Sequence, residues 1–386
     1  MKLGIVGGGA SGLFLASYLK RKYKNIDITI FDRNKSLGRK ILASGNGKCN
    51  FSNYKAMPSD YNNEDFIKNL YSMVKKEDLI NYFSSLGLMF YFDDEGRMYP
   101  LSNSSQTILN MFLLELKDTK IYCDYTVKEV FVKNNKYFID NQEFDYIVLA
   151  SGSNASIDQS KVASTYSYLS KLNLKMTTLR PSLVGYIVND KDIKLLKGYR
   201  SKAYVTMFDN KNNKKFLEFG EVIFKEDGLS GIVIMNSSHY YESGDYLCLN
   251  LLRDISKEEF LYKTKKRYEE NKDPYYYLGL VLHNTLISYL VKKNIITPED
   301  VYNLLTNFRI NIKSTYDFKE AQVCRGGIDL SELNNDFSLK KYNRIFALGE
   351  LLDIDGVCGG YNLMFAFMSS LCASKKIGEI YENKNN

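Results

Sequence analysis

Tryptophan is absent from this chain, and histidine occurs only at His239 and His283. With two histidines a multi-histidine metal centre is all but excluded. Ring stacking falls instead to tyrosine and phenylalanine. The six cysteines (Cys49, Cys123, Cys248, Cys324, Cys358 and Cys372) are widely spread and form no C-x-x-C. That spacing gives no disulfide framework, no zinc site and no redox pair of the flavin disulfide-reductase kind. No run of eighteen apolar residues is present, so the sequence offers no transmembrane helix and no membrane partner. The N-terminus enters a strand directly, without the segments of a signal peptide, which leads us to expect a cytoplasmic protein. The net charge of +7 is mild and scattered. The lysine-rich stretches 211–215 and 263–267 read as solvated faces, which argues against a nucleic-acid partner.

What is present begins at the second residue. Lys2-Leu3-Gly4-Ile5-Val6 is followed by Gly7-Gly8-Gly9-Ala10-Ser11-Gly12 and then Leu13-Phe14-Leu15-Ala16. An apolar run, a G-x-G-x-x-G and a helical pattern read as strand, tight turn and helix. Gly7 permits the turn, Gly9 lets a pyrophosphate approach the backbone, and Gly12 lets the helix pack on the strand. A second strand over residues 27–31 ends at Asp32, twenty residues beyond Gly12, where a ribose-binding acid belongs. Dinucleotide binding is the expected chemistry, with Asp32 on the adenosine ribose.

The remaining pattern predicts helices over 63–86 and 104–116, a hairpin over 89–100, and short strands at 121–122, 125–132 and 137–139. A buried strand over 144–149 runs into Ala150-Ser151-Gly152, small residues that allow close approach to something bound. Residues 183–252 read as a small antiparallel sheet or barrel, and 256–311 as helical, with N-caps at Ser256 and Thr297. A further strand at 344–348 ends in Gly349 and Glu350. It leads through Asp353, Asp355 and Gly359-Gly360-Tyr361-Asn362 into an apolar helix over 363–373. A discontinuous cofactor domain follows, spanning 1–183 and 321–386, with a barrel inserted at 184–254 and a helical insertion at 255–320. The loop Gly38-Arg39-Lys40 through Ser44-Gly45-Asn46-Gly47-Lys48-Cys49-Asn50 is rich in small and amide residues, which suits a segment lying along a cofactor's diphosphate and ring edge.

That loop also resembles the signature of the BaiN/YhiN-type flavoproteins, a family of NAD(P)/FAD-dependent or aminoacetone-oxidase-type enzymes. Matching segments follow in order: Arg180-Pro181-Ser182-Leu183-Val184, Gly220-Glu221 with Gly228-Leu229-Ser230-Gly231, Ala321-Gln322-Val323 with Gly326-Gly327, and Gly349-Glu350 with Gly359-Gly360-Tyr361-Asn362. The resemblance implies an α/β, glutathione-reductase-like FAD-binding domain with an inserted barrel and helical region, and tightly bound FAD. It places Gly7, Gly8, Gly9, Ala10, Ser11 and Gly12 around the pyrophosphate and Asp32 and Arg33 at the adenosine. It places Val127 in a strand that lends backbone to the adenine, and Glu350 on the ribityl chain. Gly360, Tyr361 and Asn362 would lie by the isoalloxazine. Arg39, Lys40, Ser44, Gly45, Asn46, Gly47, Cys49, Asn50, Ser151, Gly152, Gly349 and Asp355 complete the expected cofactor contacts. The chain departs from the family at Phe224-Lys225-Glu226 and Gly231-Ile232, which the resemblance puts towards the substrate side, and at Phe337-Ser338-Leu339-Lys340 before the last strand.

No second G-x-G-x-x-G lies in the middle of the chain, so NAD(P)H is expected as a transient reductant without a Rossmann domain of its own. The leading expectation is FAD-mediated reduction of a small enone- or steroid-like acceptor. Alternatives are an amine oxidase using oxygen, a flavin-dependent tRNA-modifying enzyme, and a flavin-binding protein without turnover. Cys49 and Tyr361 are the candidate proton-handling groups, with Glu226 and Asp227 on the substrate side. No catalytic role is assigned to them.

Overall fold

In the computed structural model, which describes residues 1–156 and 166–385, the chain forms two compact units: residues 1–180 with 323–386, and residues 181–322. The first is built on a five-stranded parallel sheet. Its strand order is Ile345–Ala347, Tyr146–Leu149, Lys2–Val6, Asp27–Phe31 and Lys120–Tyr122. The first strand pairs in parallel on both sides, Ile5 standing opposite Val148 and Ile30. Strands buried on both faces need continuous apolar runs, and Leu3, Ile5, Ile28, Ile30, Ile147 and Val148 supply them. The chain leaves the first strand in one direction and later returns on its other side. The carboxyl ends of Lys2–Val6 and Tyr146–Leu149 therefore form the sheet's switch point, where α/β proteins bind ligands.

Helices Ala10–Lys22 and Tyr361–Asn385 pack together on this sheet. Phe14 and Phe367 lie 5.5 Å apart between ring centres, within a buried cluster that includes Phe83 and Phe112. Fully burying each such ring contributes roughly 2–3 kcal/mol. The last helix runs well past the expected 363–373. Its later turns are anchored by buried Ile377 and by Lys375, whose ammonium meets the Asp78 carboxylate at 2.7 Å.

Two local expectations are corrected. The helical pattern over 63–86 is broken into Glu64–Met73 and Lys76–Ser85. Between them Val74 turns extended to bury its side chain, and the Asp78 carboxylate accepts the Lys75 N–H. The strand expected over 125–132 begins only at Val130. Asp140 takes the amide protons of Lys128 and Glu129, so side-chain capping replaces the ladder there. Val127 is buried but lies in irregular backbone, not in a strand.

The second unit is a closed six-stranded antiparallel barrel. Its order is Tyr186–Val188, Gly228–Ser230, Lys214–Phe224, Arg200–Phe208, Tyr246–Asn250 and Phe308–Thr315. Helices from Lys257–Glu270 to Pro298–Thr306 fill the connection before the last strand and share one hydrophobic core with the barrel. Ser256 and Thr297 cap their helices through N–H groups of Glu259 and Asp300. His283 is also an N-cap, accepting the Thr285 N–H on Nδ1 at 3.2 Å. No helix of the described residues is long and apolar enough to cross a membrane.

Candidate functional site

The glycine turn does what its spacing demands. Gly7 has φ +108°, and a Cβ there would lie 2.3 Å from the Ala150 carbonyl oxygen. A Cβ on Gly12 would lie 2.0 Å from the Gly7 carbonyl oxygen, so this glycine allows helix and strand to touch. Gly9 is different. It forms the helix N-cap with no side-chain hydrogen bond, and a Cβ there would meet nothing within 4 Å. The first amides of Ala10–Lys22 thus face open space at the positive end of a helix dipole, the arrangement that receives a diphosphate.

Asp32 is buried at the end of the second strand. Its Oδ2 accepts the Gly8 N–H at 2.8 Å, and its Oδ1 accepts both the backbone N–H and the side-chain amide of Asn34. A carboxylate has about four acceptor positions. Three are filled by the protein, which fixes the group and leaves capacity for a hydroxyl. Arg39 reaches Asn34 Oδ1 at 2.8 Å, while the Arg33 side chain is exposed.

Lys40 links segments distant in sequence. Its ammonium lies 2.8 Å from Glu350 Oε2 and 3.0 Å from Ser153 Oγ, beside Gly152. Glu350 Oε1 also accepts the Cys324 N–H at 3.3 Å. Ser151 meets the Tyr168 hydroxyl at 2.8 Å. A Cβ on Gly349 would strike Ser11 Oγ, and Ser370 donates to the Ser11 carbonyl at 3.1 Å. The structure therefore brings together the glycine turn, Asp32, Lys40, Ser151, Gly152, Gly349 and Glu350 at the switch point.

The loop over 44–50 winds through left-handed backbone at Gly45, Asn46, Gly47 and Cys49, and Ser44 Oγ closes onto the Ile41 carbonyl. Gly45, Asn46 and Gly47 are exposed, whereas Cys49 is fully buried. Burial pushes the Cys49 thiol up to about 11, so it stays protonated at neutral pH and serves packing. Asn50 Oδ1 is buried with no hydrogen-bond partner among the described residues, and a Cβ on Gly360 would lie 2.5 Å from it. An unpaired buried acceptor at this place is what a ligand's polar edge would satisfy.

The start of the last helix is held rigidly. The Tyr61 hydroxyl donates to the Tyr361 carbonyl at 3.0 Å, and Asn362 exchanges two 2.9 Å hydrogen bonds with Gly356. Asp355, expected to face the cofactor, is instead fully buried against Arg325 at 2.8 Å. Its amide donates to Asn62 Oδ1. It shapes the loop. The side chains that sequence reasoning missed here, Asn62, Tyr61 and Ser153, carry no motif, and only the fold shows their neighbours.

A parallel sheet with an open glycine turn at its switch point, closed by a returning C-terminal strand and helix, defines an FAD-binding protein of the Rossmann type. The chain belongs to the family described as HI0933-like protein Rossmann domain, whose sequence model matches residues 1–376. The resemblance read from the loop and its companion motifs thus holds. Among curated relatives, the 3-dehydro-bile acid delta(4,6)-reductase of Clostridium scindens is 28% identical over 98% of this chain and 99% of its own. The ribosomal RNA dihydrouridine synthase of Escherichia coli is 23% identical over 97% of each. A solved 3-ketosteroid delta1-dehydrogenase from Sterolibacterium denitrificans superposes with a TM-score of 0.47 at 9% identity, covering 98% of this chain and 99% of that one.

Proposed function

We propose that this FAD-dependent oxidoreductase uses NAD(P)H to saturate a carbon–carbon double bond conjugated to a carbonyl, in a small enone- or steroid-like acceptor. The net reaction consumes NAD(P)H and one proton and yields NAD(P)⁺ and the saturated ketone. When bound, FAD supplies the hydride transfer.

The open helix N-terminus at Gly9 is the observation that supports the dinucleotide part of the reading. The amides after it hold the diphosphate, and Asp32, fixed by Gly8 and Asn34, receives an adenosine hydroxyl. Lys40, held by Glu350 and Ser153, would lie with Glu350 along the ribityl chain when FAD is bound. Tyr61 and the Gly356–Asn362 pair fix the last helix so that its first amides favour negative charge on the ring. The sequence carries a single G-x-G-x-x-G, on the five-stranded parallel sheet, so a nicotinamide would bind transiently without a Rossmann site of its own.

The acceptor class is supported by the relatives' names. A bile-acid delta(4,6)-reductase and a dihydrouridine synthase act on unrelated molecules, yet both names denote hydrogen added across a double bond conjugated to a carbonyl. Uridine in RNA is therefore the second acceptor to test. Anaerobic mixing of the FAD-loaded protein with NADH or NADPH should bleach the flavin absorbance, and a 3-oxo-4-ene steroid should restore it. Restoration by a uridine-containing RNA alone would move the acceptor to RNA. Bleaching by a primary amine, with neither nicotinamide effective, would overturn the reductase reading.

A further inference from the structure

A cavity of about 340 Å³ in the first unit is lined by Asn62, Thr177, Thr178, Arg180, Arg325 and Asp353. Its construction starts with Gly326, whose φ is +90°, and where a Cβ would lie 2.4 Å from the Thr178 carbonyl oxygen. That close approach brings the backbone of Thr178 against the turn after Val323–Arg325. Thr177 then seals the contact. Its Oγ1 accepts the Gly327 N–H at 3.1 Å, and the Thr177 N–H donates to the Gly327 carbonyl at 2.8 Å.

The polar groups facing this cavity are unequally engaged. Asp353 already accepts from Asn62 Nδ2 and from the Gly326 N–H, both at 3.1 Å. Arg325 is aimed by Asp355, which lies wholly buried behind it. Among the described residues nothing pairs with the guanidinium of Arg180 or the hydroxyl of Thr178. The uncommitted groups are thus chiefly donors: the planar fork of one arginine and a hydroxyl, beside a second, anchored arginine. A guanidinium fork matches the geometry of carboxylate and phosphate oxygens.

In the chain, the cavity's Arg325 directly follows Cys324, whose amide donates to Glu350. We propose that this cavity is an oxoanion subsite, taking a carboxylate or phosphate carried by the substrate, with Arg180 and Thr178 as its binding groups. The proposal rests on the reductase reading above for the identity of the ligand as substrate.

Calorimetric titration of the FAD-loaded protein with inorganic phosphate, and separately with acetate, tests it in the wild type, Arg180→Ala, Arg180→Lys and Thr178→Ala. Saturable binding of at least one anion is expected. Arg180→Ala should raise its Kd tenfold or more, Thr178→Ala should raise it by a smaller factor, and Arg180→Lys should recover part of the loss. Phosphate bound in preference to acetate marks a phosphate-bearing substrate, and the reverse marks a carboxylate. Absence of saturable binding by both anions overturns the subsite, as does a Kd unchanged by Arg180→Ala and Thr178→Ala. The titrations contain neither reductant nor acceptor. A failure of NAD(P)H to bleach the flavin would therefore sink the reductase reading and leave the anion result standing.

Discussion

Gly9 and Gly12 lie three residues apart and answer different demands. Gly12 is a packing glycine: any side chain there collides with the Gly7 carbonyl. Gly9 borders empty space, and its φ of −88° suits any residue. Gly12→Ala should therefore lower stability by more than about 2 kcal/mol. Gly9→Ala should leave the apoprotein's Tm unchanged while reducing FAD retention at least tenfold. Melting curves and the flavin content of the purified variants separate the two effects.

Asp329 gives the same scale a pH dependence. Lys175 at 2.6 Å, together with the Ser331 amide, holds its carboxyl down at about 2 from an ordinary 3.8. A depressed acid contributes stability that is fully present above its unfolded value and is lost as pH falls through its folded one. The wild type should thus lose stability between about pH 4 and pH 2 more steeply than Asp329→Asn. Denaturant midpoints measured across that window check the difference, which should be small because the pair is largely solvated.

At the scale of elements, the last helix is the member that most of the first unit leans on. Phe367 touches Phe14, Phe83 and Phe112, all buried. Phe367→Ala should cost about 3–5 kcal/mol through lost burial and the cavity left behind, read as a lower denaturant midpoint with an unchanged slope.

Elements also show what the sequence makes legible. The strand–turn–helix at residues 2–22 was readable because every cue is local: apolar run, glycine turn, helical period. The helix N-caps at Ser256 and Thr297 were readable for the same reason. The break at Val74 was not, since it follows from burying one side chain against distant neighbours. Val127 was expected in a strand because its neighbours favour strands. Asp140, thirteen residues on, took the amides that a ladder would have used. The pairing of Lys40 with Glu350 spans 310 residues, and the burial of Asp355 against Arg325 reverses what its position in the loop suggests. Lys40, Glu350 and Asp355 were visible as candidates, whereas Arg325 was not. Which of them face one another is a property of the sheet's switch point.

At the scale of the whole molecule, each unit has its own hydrophobic core. A ligand that binds only the folded form stabilises by mass action, about 2.7 kcal/mol at a hundredfold excess over Kd. FAD should therefore raise the unfolding temperature of the first unit and leave that of the barrel unit in place. Differential scanning calorimetry with and without added FAD should resolve the transitions. A single transition that moves as a whole would show instead that the units unfold as one.

One edge strand of the sheet, Ile345–Ala347, and the last helix follow the barrel unit in the chain, although they complete the first unit. During synthesis this inverts the order of assembly. The strand Tyr146–Leu149 emerges with one edge bare, and more than 190 further residues separate it from the partner that covers it. At roughly 5–20 residues per second that edge stays open on the ribosome for about 10–40 seconds. Exposed strand edges template wrong pairings. The barrel, made before that partner strand, can therefore close first. The surroundings of the glycine turn are complete only after Gly349, Glu350 and the last helix have been made.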